Sequence, residues 1–370
     1  MIRRPAARGT RAAAARRDRA LLAALAGAGD HVTVEIDGAA VAFTHLDRIY
    51  WPADGAFDQA AITKRDYLRY LVQVAPMLLP HARDRPLTLF RWPEGLAGRR
   101  VLEKHWAIAL PAFVERVDVF SESKRRTDQY ILCNNLATLL WLAHMGTLEF
   151  HMWHSRVRTD ATLGDAGGDF AASLAGLQNS VLERPDYLLF DLDPFIGDVP
   201  AGMRDAPFNP TAFAKVKTIA LSVRALLADI GLASLVKTSG KTGLHVIVPI
   251  VRSLRYDVVR KMASYIAARL LREHRHEVTT DWSIERRTGK VFVDSNMNAR
   301  GKSITVPYSP RGLPGAPVSM PLAWDALGDA LPTDFRLPTV PAHVRAEGDP
   351  WAGWLERKQD VMDRLAVGAA

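Results

Sequence analysis

Two aspartates separated by one residue end an apolar segment near the middle of the chain. The segment is YLLFDLDP, and Asp191 and Asp193 are its acids. Residues two apart on a β-strand point to the same face, so both carboxylates would lie on one side of a sheet. Carboxylates about 4 Å apart repel by roughly 4 kcal/mol at an effective dielectric constant of about 20. A bound Mg²⁺ or Mn²⁺ would remove this repulsion. The alternative is a strand end whose aspartates cap a turn before Pro194.

A third aspartate, Asp294, ends another apolar segment, KVFVD. Three carboxylates on neighbouring strand ends would form a two-metal site, of the kind that holds the attacking and leaving oxygens in phosphoryl transfer. Taken alone, Asp294 could equally be a turn residue ahead of Asn296. Together the three acids predict two divalent ions, Mn²⁺ or Mg²⁺, as cofactors.

A glycine-rich turn follows in KTSGKTGLHVIVPI, from position 237 to position 250. It is not a P-loop, because Leu235 occupies the position where the first glycine of that motif is needed. Gly240 and Gly243 allow backbone N–H groups to approach a ligand closely. Ser239 can donate to a phosphate oxygen, and His245 would stand beside the turn on the returning strand. The alternative is an ordinary hairpin turn with a histidine in the core.

Composition restricts the class of protein. The chain has 370 residues, of which 48% are hydrophobic and 24% charged, as in a globular protein large enough for two modest domains. No stretch approaches about 18 consecutive apolar residues, so a membrane span is not expected. The single cysteine, Cys133, allows no internal disulfide and fits a reducing compartment, which predicts a cytoplasmic protein.

The basic charge is concentrated at the N-terminus. The net charge is +8, but residues 1–20 contain seven arginines and one aspartate. Any nucleic-acid surface on the rest of the chain must therefore be a local patch. Residues 1–30 are predicted to be a basic tail that is floppy at first and then weakly helical. An export signal is the alternative, although its apolar segment, residues 20–26, is short.

The elements that would position these residues form two modules. In residues 31–160 we predict a hairpin turning at Asp37-Gly38, a helix capped near Thr63, a helix over 129–145 and strands on either side of it. In residues 185–330 the order is strand, helix, strand, strand, helix, strand, which predicts a split βαβ sheet and an α+β fold. Residues 331–370 are predicted as a Pro-rich segment followed by a short helix over 353–365.

Several segments resemble one known family. They are, in order, DLDP, KTSGKTGLHVIVP and the long RTGKVFVDSNMNARGKSITVPYSPRGLPGAPVSMPLAWD, with LTLFRWPEG, EKH and LEFHMW ahead of them. They resemble the polymerase domain of bacterial ligase D, a member of the archaeo-eukaryotic primase superfamily, over about residues 40–330. The resemblance implies a primase-polymerase fold, in which an RRM-like catalytic sheet packs against an N-terminal αβ module.

The resemblance also implies roles for particular residues. The three acids would hold two divalent ions, and Asp294 would help to lower the pKa of a primer 3′-hydroxyl. Ser239, Gly240 and His245 would bind the incoming triphosphate. The cations expected near phosphates are Arg287, Lys302 and Arg311.

The family also binds a 5′-phosphate on the downstream DNA strand near its N-terminus. The matching positions are Arg48 and Lys64, with His45 where asparagine is usual. Many members have two adjacent phenylalanines where this chain has Val101 and Leu102, and aliphatic side chains cannot stack on a base as phenylalanine can.

We therefore predict a template-directed nucleotidyltransferase, a DNA-dependent polymerase that favours ribonucleotides and fills gaps or ends in DNA repair, with priming as a further expectation. Its partners would be gapped or ended duplex DNA with a 5′-phosphate, NTPs or dNTPs, a separate DNA ligase and an end-binding protein. No membrane partner is expected. The alternatives are a metal-dependent nuclease or phosphodiesterase and a non-catalytic DNA-end-binding module.

Overall fold

The computed structural model describes residues 6–27, 29–159, 170–195 and 208–362. The helices of this part of the chain are α1 (Ala6–Gly27), α2 (Lys64–Ala82), α3 (Leu136–His144), α4 (Leu174–Gln178), α5 (Pro210–Asp229), α6 (Tyr256–Glu273) and α7 (Val340–Glu347). The strands are β1 (Val32–Ile36), β2 (Ala39–Phe43), β3 (Ile49–Trp51), β4 (Ile62–Thr63), β5 (Leu87–Arg91), β6 (Val101–Glu103), β7 (Glu115–Ser121), β8 (Arg126–Leu132), β9 (Thr147–Trp153), β10 (Tyr187–Pro194), β11 (Leu235–Thr238), β12 (Leu244–Pro249), β13 (Val278–Thr279), β14 (Val291–Asp294), β15 (Ser303–Thr305) and β16 (Pro321–Leu322). None of the described helices is both long and apolar enough to cross a bilayer.

The N-terminal segment is a docked helix. Leu21 and Leu25, one helical turn apart, are buried where α1 contacts α2 and β1. The guanidinium of Arg65 donates to the carbonyl oxygens of Leu25 (2.6 Å) and Gly29 (3.0 Å), so a cation fixes the C-terminal end of α1. The prediction that this segment becomes helical is confirmed, whereas the floppy start was wrong from residue 6 onwards, because the apolar pair anchors the helix. Residues 1–5 lie outside the described part.

Two local predictions in the N-terminal module are confirmed. Asp37 and Gly38 turn the β1–β2 hairpin with φ of 52° and 84°, as a tight two-residue hairpin turn requires. Thr63 caps α2, because its side chain accepts from the backbone of Asp66 while the Asp66 carboxylate accepts from the Thr63 backbone N–H.

The predicted helix over 129–145 was wrong in its first half. The chain continues as β8 to Leu132, where it pairs with β7 along the whole hairpin. Asn135 then caps α3 by accepting from the Thr138 backbone N–H. Pairing with β7 therefore decides the structure of the apolar residues before the cap.

The N-terminal module contains a four-stranded antiparallel sheet in the order β15-β9-β5-β6. Its edge strand β15 comes from the later part of the chain, within the segment 185–330 that we predicted as the second module. Residues 303–305 thus tie the second module to the first.

The second module contains a six-stranded sheet, which we call the large sheet, in the order β13-β14-β10-β12-β11-β16. Its four central strands pair antiparallel, and the chain runs through them as β10, α5, β11, β12, α6 and β14. This is the predicted split βαβ arrangement of an α+β fold. The two edge strands, β13 and β16, were not predicted.

The C-terminal segment packs into the core. Trp351 has no exposed surface, and its indole N–H donates to the Val236 carbonyl on β11 at 3.1 Å. Trp354 is also buried and donates to His81 Nδ1 at 2.9 Å. The helix predicted over 353–365 was wrong in its first turns, which form a short 3₁₀ turn, Trp354–Glu356. Residues 363–370 lie outside the described part.

Candidate active site

A row of polar side chains crosses four strands of the large sheet. Asp191 on β10 lies directly opposite Asp294 on β14 and opposite His245 on β12. His245 in turn lies opposite Lys237 on β11. Directly opposed residues point to the same face, so Asp294, Asp191, His245 and Lys237 form one line, here called the polar row. Asp193 lies two positions beyond Asp191 and shares that face.

The other face of the large sheet is apolar. Phe190, Leu192 and Val246 alternate in sequence with the polar row and are buried. Helices α5 and α6 contact β10 and bury their own apolar residues in the same core. The helices therefore cover this face, and the polar row is turned towards the N-terminal module.

The pKa values of all three acids are raised. Burial raises the pKa of Asp191 to about 6, although the charges of Lys237 and Arg311 oppose the shift. The Asp193 side chain is exposed, and the protein around it, followed by the charge of Asp191, raises its pKa above the usual value. Burial, followed by Asp191, also raises the pKa of Asp294. Raised pKa values mean that ionising these carboxyl groups costs free energy, and a bound cation would offset that cost.

His245 joins the acids to the glycine turn. Its Nε2 lies 3.2 Å from Asp191 Oδ1, and its side chain is almost fully buried. Burial, and then the charges of Lys237 and Arg311, hold its pKa well below the usual value, so the ring is neutral at pH 7. Nδ1 is buried without a hydrogen-bond partner among the described residues. This nitrogen is the atom of His245 that is left for a ligand.

The turn between β11 and β12 is closed by its serine. The Ser239 backbone N–H donates to the Gly243 carbonyl at 2.9 Å, and Ser239 Oγ accepts from the N–H groups of Gly243 (3.1 Å) and Lys241 (3.2 Å). With its oxygen accepting two bonds, the hydroxyl still has its own proton to donate.

Both glycines of the turn are required by their surroundings. Gly240 has φ of +76°, and a Cβ there would lie 2.8 Å from Arg311 Cγ. A Cβ on Gly243 would lie 2.4 Å from the Leu192 carbonyl oxygen and 2.6 Å from Asp193 Oδ1. The turn therefore packs directly against the strand that carries two of the acids.

Arg311 connects the turn to the N-terminal sheet. Its guanidinium donates to the Ser239 carbonyl at 2.7 Å and pairs with the Glu149 carboxylate at 3.1 Å. Burial opposes ionisation of Glu149, but Arg311 and His151, whose Nε2 lies 3.1 Å away, hold its pKa well below the usual range. Glu149 also accepts from the Gly312 backbone N–H at 2.9 Å. Arg311 is thus held rigidly beside the polar row.

The other two predicted cations lie near Asp294. The charges of Lys302 and Arg287 both act to lower the pKa of Asp294, against the effect of burial. Lys302 is exposed. Arg287 stacks on the Phe292 ring, 3.6 Å from its centroid, and its Nε donates to the Asp281 carbonyl at 2.7 Å.

Arg48 and Lys64 come together in the N-terminal module, apart from the polar row. The Lys64 ammonium is buried, donates to the Thr44 carbonyl at 2.9 Å and lies 3.5 Å from His144 Nδ1. Burial, and then the charge of Arg48, lower the pKa of Lys64 to about 8. Burial, followed by Lys64, His45 and Arg48, lowers the pKa of His144 to about 4. We call Arg48, Lys64, His45 and His144 the basic cluster.

The donor chemistry of the acids fits divalent cations. Carboxylate oxygens are the preferred ligands of Mg²⁺ and Mn²⁺, and a bound cation would lower the raised pKa values of the three acids. Across the described ranges of the chain, however, no three histidine, cysteine, aspartate or glutamate side chains are arranged so that they could hold a metal ion.

Sequence reasoning missed several residues of the site. Lys237 stands two positions before Ser239 on β11, so strand alternation could have placed it on the polar face. Glu149 carries no such local signal, because Arg311, its partner in the site, comes from a distant part of the chain.

An RRM-like sheet with acids, a histidine and a serine-glycine turn on one face defines a nucleotidyltransferase of the primase-polymerase type. The chain belongs to the family described as "LigD, primase-polymerase domain", whose profile matches residues 63–351. The predicted family resemblance, fold class and enzyme class are thereby confirmed.

The chain is similar to curated proteins of non-homologous end joining. It is 30% identical over 325 residues to the "Multifunctional non-homologous end joining DNA repair protein LigD" of Mycobacterium tuberculosis, covering 88% of this chain and 38% of that protein. It is 27% identical over 320 residues to the bifunctional LigD of Bacillus subtilis, covering 86% of this chain and 44% of that protein. The chain thus spans less than half the length of these relatives.

A solved structure supports the fold. The polymerase domain from Mycobacterium tuberculosis ligase D, in complex with DNA, aligns with a TM-score of 0.70 and 29% identity. The alignment covers 86% of this chain and 99% of that domain.

Proposed function

We propose that this protein is a template-directed nucleotidyltransferase, a DNA-dependent polymerase that extends a primer 3′-end at gaps or ends during DNA repair. The observation that carries the proposal is the continuity of the polar row with the serine-glycine turn. Acids suited to cations and groups suited to a triphosphate lie on one face of one sheet. A nuclease would use the acids but has no need of a triphosphate-binding turn.

Two divalent ions would be held by Asp191, Asp193 and Asp294. They would neutralise negative charge at the attacking hydroxyl and at the departing pyrophosphate. Asp294, whose pKa is raised, would accept a hydrogen bond from the primer 3′-hydroxyl and help it to lose its proton. No protein nucleophile is required.

The incoming nucleotide would be bound by the turn. Ser239 would donate its free hydroxyl proton to a phosphate oxygen, the glycine at position 240 would allow close approach, and His245 would offer Nδ1. Arg311 would add fixed positive charge beside the triphosphate, and Lys302 and Arg287 would do so nearer Asp294.

Arg48 and Lys64 would bind the 5′-phosphate of the downstream strand. The support is physical, because a buried ammonium next to a guanidinium is destabilised by burial and repulsion, and an anion would relieve both. His144, neutral at pH 7, would add a hydrogen bond to the same group.

We further propose that the protein favours ribonucleotides, uses Mn²⁺ or Mg²⁺ and acts in the cytoplasm at the nucleoid. A separate DNA ligase would seal the product, and an end-binding protein would present the DNA. Priming of new strands is an extension of the same chemistry.

The test is primer extension on a gapped duplex with a downstream 5′-phosphate, supplied with Mn²⁺ and either NTPs or dNTPs. The wild type should add templated nucleotides, and Asp191→Ala should abolish the addition. Asp329→Ala is the matched control, because Asp329 is exposed and its side chain has no hydrogen-bond or ion-pair partner among the described residues. Faster addition from NTPs than from dNTPs is expected.

Two results would contradict the proposal. Shortened primers that depend on Asp191 would indicate a nuclease. Tight binding of the gapped DNA with no change in primer length, at any nucleotide or metal supplied, would indicate a non-catalytic end-binding module.

A further inference from the structure

The charges of α1 are sorted between its two sides. The helix contains five arginines and one aspartate. Arg17, on the side that faces the protein, pairs with Asp18 at 2.8 Å and with Asp37 of the β1–β2 turn at 2.7 Å. Arg16 and Arg19 lie on the opposite side and are exposed.

Four acids near α1 already have partners. Asp18 and Asp37 are bound by Arg17, and Asp47 pairs with Arg65 at 2.8 Å. Asp30 accepts from the Asp47 backbone N–H at 3.3 Å. Within the described residues, neither Arg16 nor Arg19 has a hydrogen-bond or ion-pair partner, so the outward side of α1 carries unneutralised positive charge.

The C-terminal end of α1 lies next to residues that adjoin the basic cluster. Arg65, which holds the C-terminal end of α1, directly follows Lys64 in the chain. The Asp30 carbonyl, just beyond α1, accepts from the Leu46 backbone N–H, next to His45. The end of α1 is thus fixed within a few residues of the proposed 5′-phosphate site, although the helix precedes the residues 63–351 that match the family.

The composition of the outward side favours a phosphate backbone over a lipid surface. Around Arg16 and Arg19 the exposed positions of α1 are alanines, such as Ala12, Ala15 and Ala23. A helix that inserts into a bilayer interface needs large apolar side chains on its exposed side. A helix of 22 residues is about 33 Å long, comparable with about ten base pairs of duplex.

We propose that the outward side of α1 binds the phosphate backbone of the DNA duplex downstream of the gap, beyond the 5′-phosphate. The proposal rests on the proposed function, in that the basic cluster would hold the end of that same strand. Arg16 and Arg19 neutralise phosphates and add affinity that does not depend on sequence.

The test is equilibrium binding by fluorescence anisotropy with the full chain and three DNAs that share one primer-template. The first has no downstream strand, the second has a downstream strand with a 5′-hydroxyl, and the third has one with a 5′-phosphate. Arg16→Glu/Arg19→Glu is compared with the wild type. The control is Arg260→Glu/Lys261→Glu, which makes the same charge change at exposed positions of α6, on the helix-covered side of the large sheet.

The α1 variant should bind the second and third DNAs more weakly than the wild type does, and the first DNA equally well. Two lost phosphate contacts should also reduce the fall in affinity between 50 and 200 mM salt by about tenfold. Arg48→Ala should affect only the third DNA, which separates α1 from the basic cluster. If the wild type does not distinguish the second DNA from the third, the 5′-phosphate assignment fails while the test of α1 remains readable.

The proposal is wrong if the α1 variant matches the control on all three DNAs, or if it weakens all three equally. It is also wrong if the variant binds DNA as the wild type does, while the wild type binds phosphatidylglycerol vesicles and the variant does not. That result would assign α1 to a membrane surface. Thermal unfolding of each variant verifies that α1 is still docked.

Discussion

Substitution of Gly243 by alanine should displace both the serine-glycine turn and Asp193 in the candidate active site. The new Cβ would lie 2.4 Å from the Leu192 carbonyl oxygen and 2.6 Å from Asp193 Oδ1, closer than carbon and oxygen can approach. Leu192 belongs to a buried central strand and cannot yield cheaply. The turn must move instead, and overpacking of this kind costs about 1–3 kcal/mol.

The movement of the turn would shift residues on both sides of the contact between Gly243 and β10. The Gly243 N–H donates to Ser239 Oγ and its carbonyl accepts from the Ser239 N–H, so the serine shifts with the glycine. Asp193 is displaced from the other side. A misplacement of about 1 Å at a reacting group can cost about 10²-fold in rate, so we expect kcat for primer extension to fall by that order and the KM for the nucleotide to rise.

The assay pairs primer-extension kinetics with urea unfolding, and Gly328→Ala is the control. Gly328 has no atom within 4 Å of an added Cβ and does not have positive φ, so this variant should unfold like the wild type or slightly later. If Gly243→Ala retains both the stability and the kinetic constants of the control, the turn does not pack on β10 as described, and the argument linking Ser239 to Asp193 fails.

Three further predictions concern other parts of the molecule. Burial lowers the pKa of Lys64 to about 8, so its positive charge is present below that pH and is lost above it. The ratio of affinities for 5′-phosphate and 5′-hydroxyl DNA should therefore decrease as the pH is raised from about 7 to about 9. A Lys64→Gln variant that still showed this decrease would refute the assignment. Asp186 has no exposed surface and pairs with Arg85 at 2.9 Å; Asp186→Asn should lower the free energy of unfolding by about 3–5 kcal/mol, and an unchanged urea midpoint would contradict this. Leu102 on β6 is 52% exposed; Leu102→Phe should tighten primer-template binding by about 1–3 kcal/mol if a base stacks there, whereas the same change at exposed Leu221 on α5 should not, and equal affinities in the anisotropy assay would exclude stacking.

Local sequence predicted the parts of the fold that depend on neighbouring residues. The turn at Asp37 and Gly38, the cap at Thr63 and the strand carrying Asp191 and Asp193 all follow from patterns a few residues long. The order of strands and helices in the large sheet follows from the same patterns, because each element has a clear period.

Other features depend on residues that are far apart in the chain. The register that sets Asp294 opposite Asp191 is decided by pairing across about 100 residues, and no local pattern specifies it. Residues 130–132 were predicted as helical because they continue the apolar segment that follows them, but they pair with β7 in a hairpin. The two buried C-terminal tryptophans, Trp351 and Trp354, likewise find their environment only in the folded protein.

The polar row has a consequence for the size of the molecule that it can accept. Neighbouring strands of the sheet lie about 4.8 Å apart, so Asp294 and His245 are separated by two such intervals, or about 10 Å. A slip of one residue in any strand would turn its polar side chain to the helix-covered face, so the spacing cannot be adjusted gradually. The large sheet therefore holds the Asp294 carboxylate and the His245 ring, whose Nδ1 has no partner among the described residues, at a fixed separation. Only a substrate whose reacting group and anionic group are about that distance apart can contact both side chains at once.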